Sequence, residues 1–397
     1  MRKWICILIV FTGFHCRDPY NIIRGTKDTG ILVIEGILNG NGVTQVTLSR
    51  TTTLSDKRIQ PETGALLFIE SEASGETHLL LERERGVYKS DALTFDNTGK
   101  YRLKIQTTDN REYATDYKNF LVTPGIDSIT WQEKGGGVQM LLYSHNDNPG
   151  SPYYKWDYEE TWEYKSAFRS HIIFKEVPPD PAGNKYVLDW YDPANQTVNN
   201  SLFTCYNSRV STSINLISTE NLGSNVVLAP LRFIPEGSIE LSYLYSILVR
   251  QYALSKEGYE FFTRMKKNTE QLGSIFDAQP SEISGNVKCV TDPSELVIGY
   301  VEASSATEQR IWINNADLPG WGYESGCKHF FEPNGEFSEY PYPNDPSLFN
   351  NIVSRNLMPT IAVETFATAI LRFQVEPRVC VDCQSLGGHP EKPDFWP

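Results

Sequence analysis

The chain has 397 residues, a formal net charge of −13 and a pI near 5.1. That balance argues against nucleic-acid binding, which needs clustered Lys and Arg to displace phosphate counterions. The length allows two or three compact units. The aromatic content of 12 %, with 21 Tyr and 8 Trp, suits half-buried strands and contact surfaces alike.

The first residues read as a targeting segment. Arg2 and Lys3 are basic, and the apolar run Trp4–Phe11 is too short to span a bilayer, as in a signal peptide. Cys16 stands where a lipoprotein signal would end and an acyl-bearing cysteine begin, although His15 occupies a place usually held by a small residue. Residues 1–16 are therefore expected to be a signal peptide with a lipidation cysteine; the alternative is ordinary secretion with no role for Cys16. Residues 17–30 read as a tether.

Residues 31–124 carry a strand pattern. Ile31–Leu38 is apolar, Asn39-Gly40-Asn41-Gly42 supplies hairpin chemistry, and Val46 and Leu48 alternate inward. Ala65–Ile69 is a further apolar run. His78–Arg85 reads as an outward-charged strand. In Lys100–Ile105, Tyr101, Leu103 and Ile105 share one face and the cations the other, as a one-sided sheet requires. Short strands at regular spacing predict an immunoglobulin- or fibronectin-like β-sandwich.

Thr123-Pro124-Gly125 marks a boundary and a hinge, and residues 125–320 predict a second β-sandwich. Within it, Tyr154, Trp156, Tyr158, Trp162 and Tyr164 alternate with polar residues as in a central strand. Glu160 interrupts the aromatic face, so it lies near an edge or is paired. The aromatic-bearing insertion Val177–Ser201 is where a binding surface is expected, with Trp190 and Tyr191 as candidate contacts. Ile239–Ala253 reads as a long strand with Leu241, Tyr243, Tyr245, Ile247 and Val249 in phase. It leads into one long helix over 255–273, capped by Ser255 and presenting Tyr259, Phe262, Met265, Thr269 and Leu272. Gly258 within it is a cost that a neighbour must offset. Leu296–Ala303 and Arg310–Ile313 are expected to complete the second sheet. The fold class is mainly β: two sandwiches with one helix packed on the second.

Residues 321–397 form an irregular, cysteine-containing segment expected to wrap onto the second unit through a disulfide or through Phe395 and Trp396. Beyond the leader, Cys205, Cys289, Cys327, Cys380 and Cys383 are disulfide candidates in an exported chain, and five leaves at least one thiol unpaired. Cys380-x-x-Cys383 reads first as structural disulfide chemistry. Zinc would need Cys327 with His329 or His389, and a redox role would need a βαβ context that is absent from the pattern.

No nucleophile elbow, zinc-helix pair or phosphate loop occurs. Glu159, Glu160, Asp189 and Asp192 lie near aromatics and could serve a polysaccharide hydrolase, but coincidental acid pairs are expected among 49 acidic residues.

The stretch QYALSKEGYEFFTRMKKNTEQLGSIFDAQPSEISGNV, followed by ELVIGYVEAS, resembles the Bacteroidota outer-membrane lipoproteins catalogued as domain of unknown function 4249. The resemblance extends from VIEGIL near the start to KPDFW at the end. It implies lipidation at Cys16, a surface-exposed outer-membrane location, an association with a TonB-dependent transporter, and no assigned catalytic residue. The expected role is accordingly that of a non-catalytic accessory or ligand-binding partner without a cofactor. A secreted hydrolase or a structural adhesion protein is the alternative.

Overall fold

A computed structural model describes residues 30–397 except 53–55, 57, 147–149, 179–185, 223–224, 271–284, 331–338, 342–345 and 368. The expected signal peptide, Cys16, tether residues 17–29, and Leu272 with the expected helix end at Gly273 lie outside the described residues.

The protein is mainly β. Leu32–Asn39 and Val43–Arg50 form an antiparallel hairpin across the Asn-Gly turn. Thr77–Glu84 pairs with Leu66–Ser71 on one side and with Val87–Ala92 on the other, and so joins two layers into a nearly closed sheet. Leu32, Ile34, Leu38, Val46, Leu48, Leu103 and Ile105 fill its interior, each 2 % exposed or less. Fully burying such side chains contributes about 1.5–3 kcal/mol each before entropy is charged.

This first sandwich is completed from far along the chain. Val297–Gly299 and Glu302–Ser304 pair in parallel with Leu32–Asn39, and Val287–Cys289 pairs with Glu112–Thr115. The expectation that Leu296–Ala303 closes the second sheet is therefore corrected. An apolar run specifies that a strand is buried, not which sheet edge receives it. Thr77–Glu84 carries its charges outward as expected, with Glu82, Arg83 and Glu84 exposed and Leu80 facing the core, and Leu79 and Leu81 also emerge on the outer face at 44 % and 46 % exposure.

The expected hinge at Thr123–Gly125 is bonded into its surroundings. Thr123 Oγ1 accepts from Ala253 N at 2.9 Å, Thr123 N donates to Ser305 Oγ at 2.7 Å, and Pro124 O accepts from Gln251 Nε2 and Thr307 Oγ1.

The second sandwich packs a sheet of Ile126–Glu133, Gly137–His145 and Val226–Pro235 against one of Thr204–Val210, Tyr153–Lys165, Leu244–Leu254 and Ala306–Asn314. Tyr153–Lys165 is central to its sheet, and its aromatic face lies in the core as the alternation requires. Upstream of Leu244 the chain makes a single turn, Ile239–Leu241, in place of an extended strand, leaving Tyr243 at 45 % exposure.

The helix is observed over Lys256–Glu270. Ser255 caps it, its Oγ accepting from Gly258 N at 3.1 Å. Its buried face is set by Gly258 and Phe261, while Thr269 is exposed, which corrects the expected face by about one position. The reason is contact with Tyr300 and Glu302, which lie about thirty residues beyond the end of the helix. Phe261 packs near Tyr300 with centroids 5.5 Å apart, and Tyr259 stacks on Tyr153 at 5.0 Å.

The segment expected to be irregular contributes a third core. The hairpin Leu357–Phe366 with Ala369–Pro377 packs on the hairpin Ile172–Glu176 with Tyr186–Trp190. Ile172, Leu188, Ile352, Leu357, Ile370, Phe373 and Val375 form the cluster.

Candidate functional site: a disulfide-held contact surface

Two disulfides hold the segment that follows the third core, one of them to the second sandwich. Cys383 bonds to Cys205 on Thr204–Val210, and Cys380 bonds to Cys327; among the described residues Cys289 is a free, buried thiol. The two cysteines of the C-x-x-C segment thus bond to different partners rather than to each other. Cys380 lies in the short turn Arg378–Val381 and Cys383 in the separate turn Cys383–Leu386. Downstream, His389 and Tyr206 exchange backbone hydrogen bonds at 2.8 and 2.9 Å. Trp396 meets Tyr206 and Trp312 edge-on, and its Nε1 donates to Glu163 Oε2 at 3.2 Å. The tail therefore wraps onto the second sandwich through a disulfide and through aromatic packing together.

Polar groups lock the same region. Glu376 is 2 % exposed and accepts from Phe330 N at 2.7 Å, while its other oxygen lies 2.6 Å from His329 Nδ1. Buried carboxylates are tolerated only when so satisfied.

Trp190 and Tyr191 part company in the structure. Trp190 is half-buried against the third core, opposite Ile172 in the hairpin register. Tyr191 is 43 % exposed, with its N–H donated to His171 O. Further exposed apolar groups of this unit are Ile361, Val363 and Phe366, at 40 %, 42 % and 75 % exposure, on the outer half of Leu357–Phe366. Register shifts in this hairpin turn consecutive side chains away from strict alternation, so the pattern IAVETF indicates a strand without revealing which side meets water.

The four acids singled out in the sequence do not share a site. Glu160 is 1 % exposed and saturated: Arg209 Nε and Nη2 donate to Oε2 at 3.0 and 2.9 Å, and Arg232 Nε and Tyr245 OH donate to Oε1 at 3.0 and 2.9 Å. It is paired, one of the two readings of its place on the aromatic face. Burial pushes the Tyr245 phenol well up, and the adjacent Glu160 charge adds to this. Glu159 points to the opposite face of the strand, toward Arg250 at 3.9 Å. Asp189 lies 3.8 Å from Lys175. Asp192 accepts from Asn195 Nδ2, Asn195 N and Thr197 Oγ1, bonds that hold its carboxyl below the usual range.

One concavity of about 450 Å³ lies at the end of the second sandwich, lined by Ser242, Asn315, Leu318, Trp321 and Tyr323 with intervening glycines. Trp321 Nε1 is committed to Ser238 O at 3.0 Å. Among the described residues no cluster of three or more metal-ligating side chains occurs, and no helix is long and apolar enough to cross a membrane, which says nothing of strands.

The fold defines a class: a mainly β protein of packed sandwiches with a third core in its C-terminal part, beside two disulfides. The model of the domain of unknown function DUF4249 matches residues 17–310, and the chain belongs to that family. No curated protein matches the sequence. Among solved structures, similarity is found to the native conformation of Escherichia coli alpha-2-macroglobulin, at 11 % identity and TM-score 0.17, covering 60 % of this chain and 14 % of that one. A Bacteroides uniformis protein described as carbohydrate-binding shows 9 % identity and TM-score 0.16, covering 57 % of this chain and 91 % of that one. A DUF4785 family protein of Legionella pneumophila shows 10 % identity and TM-score 0.18, covering 50 % and 56 % respectively. TM-scores this low carry no argument about function.

Proposed function

We propose that the chain is a lipid-anchored outer-membrane protein that works by contact, as a non-catalytic accessory or ligand-binding partner of a TonB-dependent transporter. The observation that supports this reading best is the third unit. The chain joins a hairpin inserted in the second sandwich to its C-terminal segment, rivets the product with Cys205–Cys383 and Cys327–Cys380, and leaves Ile361, Val363 and Phe366 facing water. Apolar side chains held rigidly at a surface lose little entropy on binding, which is the requirement for a contact surface. The test is affinity purification of the full chain from detergent-extracted membranes, with mass spectrometry of what accompanies it. A transporter of this class in stoichiometric amount is expected, and Val363→Asp with Phe366→Asp should reduce it. Retention of the partner by that variant would remove the hairpin from the interface, and absence of any transporter would remove the reading.

A further inference from the structure

We propose that the end of the first sandwich where the chain enters from residue 30 is a bilayer-facing surface, its apolar side chains resting in the lipid headgroup region. This deepens the lipid-anchored reading and rests on it. Gly30 is held at this end, its N–H on Thr51 O at 2.8 Å and its carbonyl on Arg50 Nη1 at 2.9 Å; Arg50 in turn pairs with Glu62. The same end carries an apolar patch that alternation on a solvated sheet face does not call for. Leu66 and Leu81 are cross-strand neighbours at 50 % and 46 % exposure, since Leu67 pairs with Leu80. One row further, Phe68 pairs with Leu79.

Glu82 ties this patch to the adjoining turns, accepting from Gly64 N at 2.8 Å and from Gly86 N at 2.9 Å, and Pro61 lies against Gly86. Two residues before Pro61, Ile59 is 82 % exposed. Cations frame the patch: Lys89 sits opposite Leu81 and Lys104 beside Phe68 in the strand register, and Arg83 near the end of Thr77–Glu84 and Arg85 on the adjoining turn are exposed. Glu84 is exposed there as well, and Arg58 is neutralised by Asp56 at 3.0 Å. On a chain of net charge −13, the cations at this end offset its acids and lower the repulsion that it would meet at a charged membrane. Long basic side chains beside leucines can keep their charge in water while their stems cover apolar surface.

Covalent reach selects the bilayer as occupant. Thirteen residues separate Cys16 from Gly30. At about 3.5 Å per residue they extend to at most about 45 Å, and any slack brings this end nearer the membrane.

The test uses the full chain carrying Cys16→Ala, so that no acyl group contributes, mixed with phosphatidylcholine vesicles with or without anionic lipid and separated by flotation. The expected result is measurable partitioning that falls at least about tenfold in Leu66→Asp/Leu81→Asp, with a milder fall in Leu66→Ala/Leu81→Ala at unchanged thermal unfolding. Equal flotation of the variants, no flotation of the parent, or loss of self-association in their place would overturn the proposal. The lipid anchor itself is tested separately, by the mass of the membrane-extracted wild-type chain. An acyl group found on Cys16 alongside negative flotation would sink the surface and leave the anchor standing.

Discussion

Replacing Gly258 by alanine inverts the ordinary rule for helices. In a helix interior alanine is favoured over glycine by about 1 kcal/mol. Here a Cβ at position 258 would stand 2.7 Å from Glu302 Oε2 and 3.0 Å from Tyr300 Cε1. Glu302 has little room to retreat: it is 1 % exposed, and Oε2 accepts from Ser255 N at 2.8 Å and Ser255 Oγ at 2.6 Å. Displacing it disturbs the cap, worth about 1 kcal/mol, and hydrogen bonds to a charged group, worth about 1.5–3 kcal/mol. Set against the propensity gain, Gly258→Ala should destabilise by about 2 kcal/mol. The assay is urea unfolding followed by far-ultraviolet circular dichroism, run also in a Glu302→Ala background where the space is opened. There the glycine replacement should become neutral or stabilising. A Gly258→Ala protein more stable than the parent would refute the claim that close approach, rather than chance, keeps glycine in this helix.

Three further outcomes follow from the same geometry. Glu160→Gln keeps the size of the side chain but removes the charge that four donors share, and should cost about 2–3 kcal/mol in denaturant unfolding; a loss under about 0.5 kcal/mol would show that partly exposed Arg209 and Arg232 rehydrate freely. Burial raises the Glu302 pKa against the opposing bonds from Ser255 and the Lys118 charge. A raised folded-state pKa means stability fully present below the unfolded carboxylate value and lost as pH rises through the folded one. Glu302→Gln should flatten that decline, and an unchanged stability–pH profile would count against it. Cys205→Ser/Cys383→Ser opens a cross-link spanning 178 residues and should cost about 2–5 kcal/mol, with Trp396 released first. Limited proteolysis read by mass should then show early cleavage after residue 383, and an unchanged cleavage order would mean that the aromatic contacts alone hold the tail.

The sequence by itself determined those features whose signal is local. Two-residue alternation in Tyr101–Ile105 and Tyr154–Tyr164 identified inward faces that the structure shows buried. Ser255 was legible as a cap because its hydroxyl acts three residues away, and Glu160 was legible as anomalous because it broke a pattern. The odd cysteine count required a free thiol and could not say whose. What only the tertiary structure decided is every choice between distant partners. Val297–Gly299 joins the first sheet rather than the second, Cys380 and Cys383 bond to different segments, and the aromatic insertion and the C-terminal segment build a common core. The helix face moved for the same reason, because Tyr300 and Glu302 lie beyond its own periodicity. Periodicity reports which side of an element is apolar. It cannot report which of several equally apolar surfaces will cover that side, since this depends on packing summed over the whole chain.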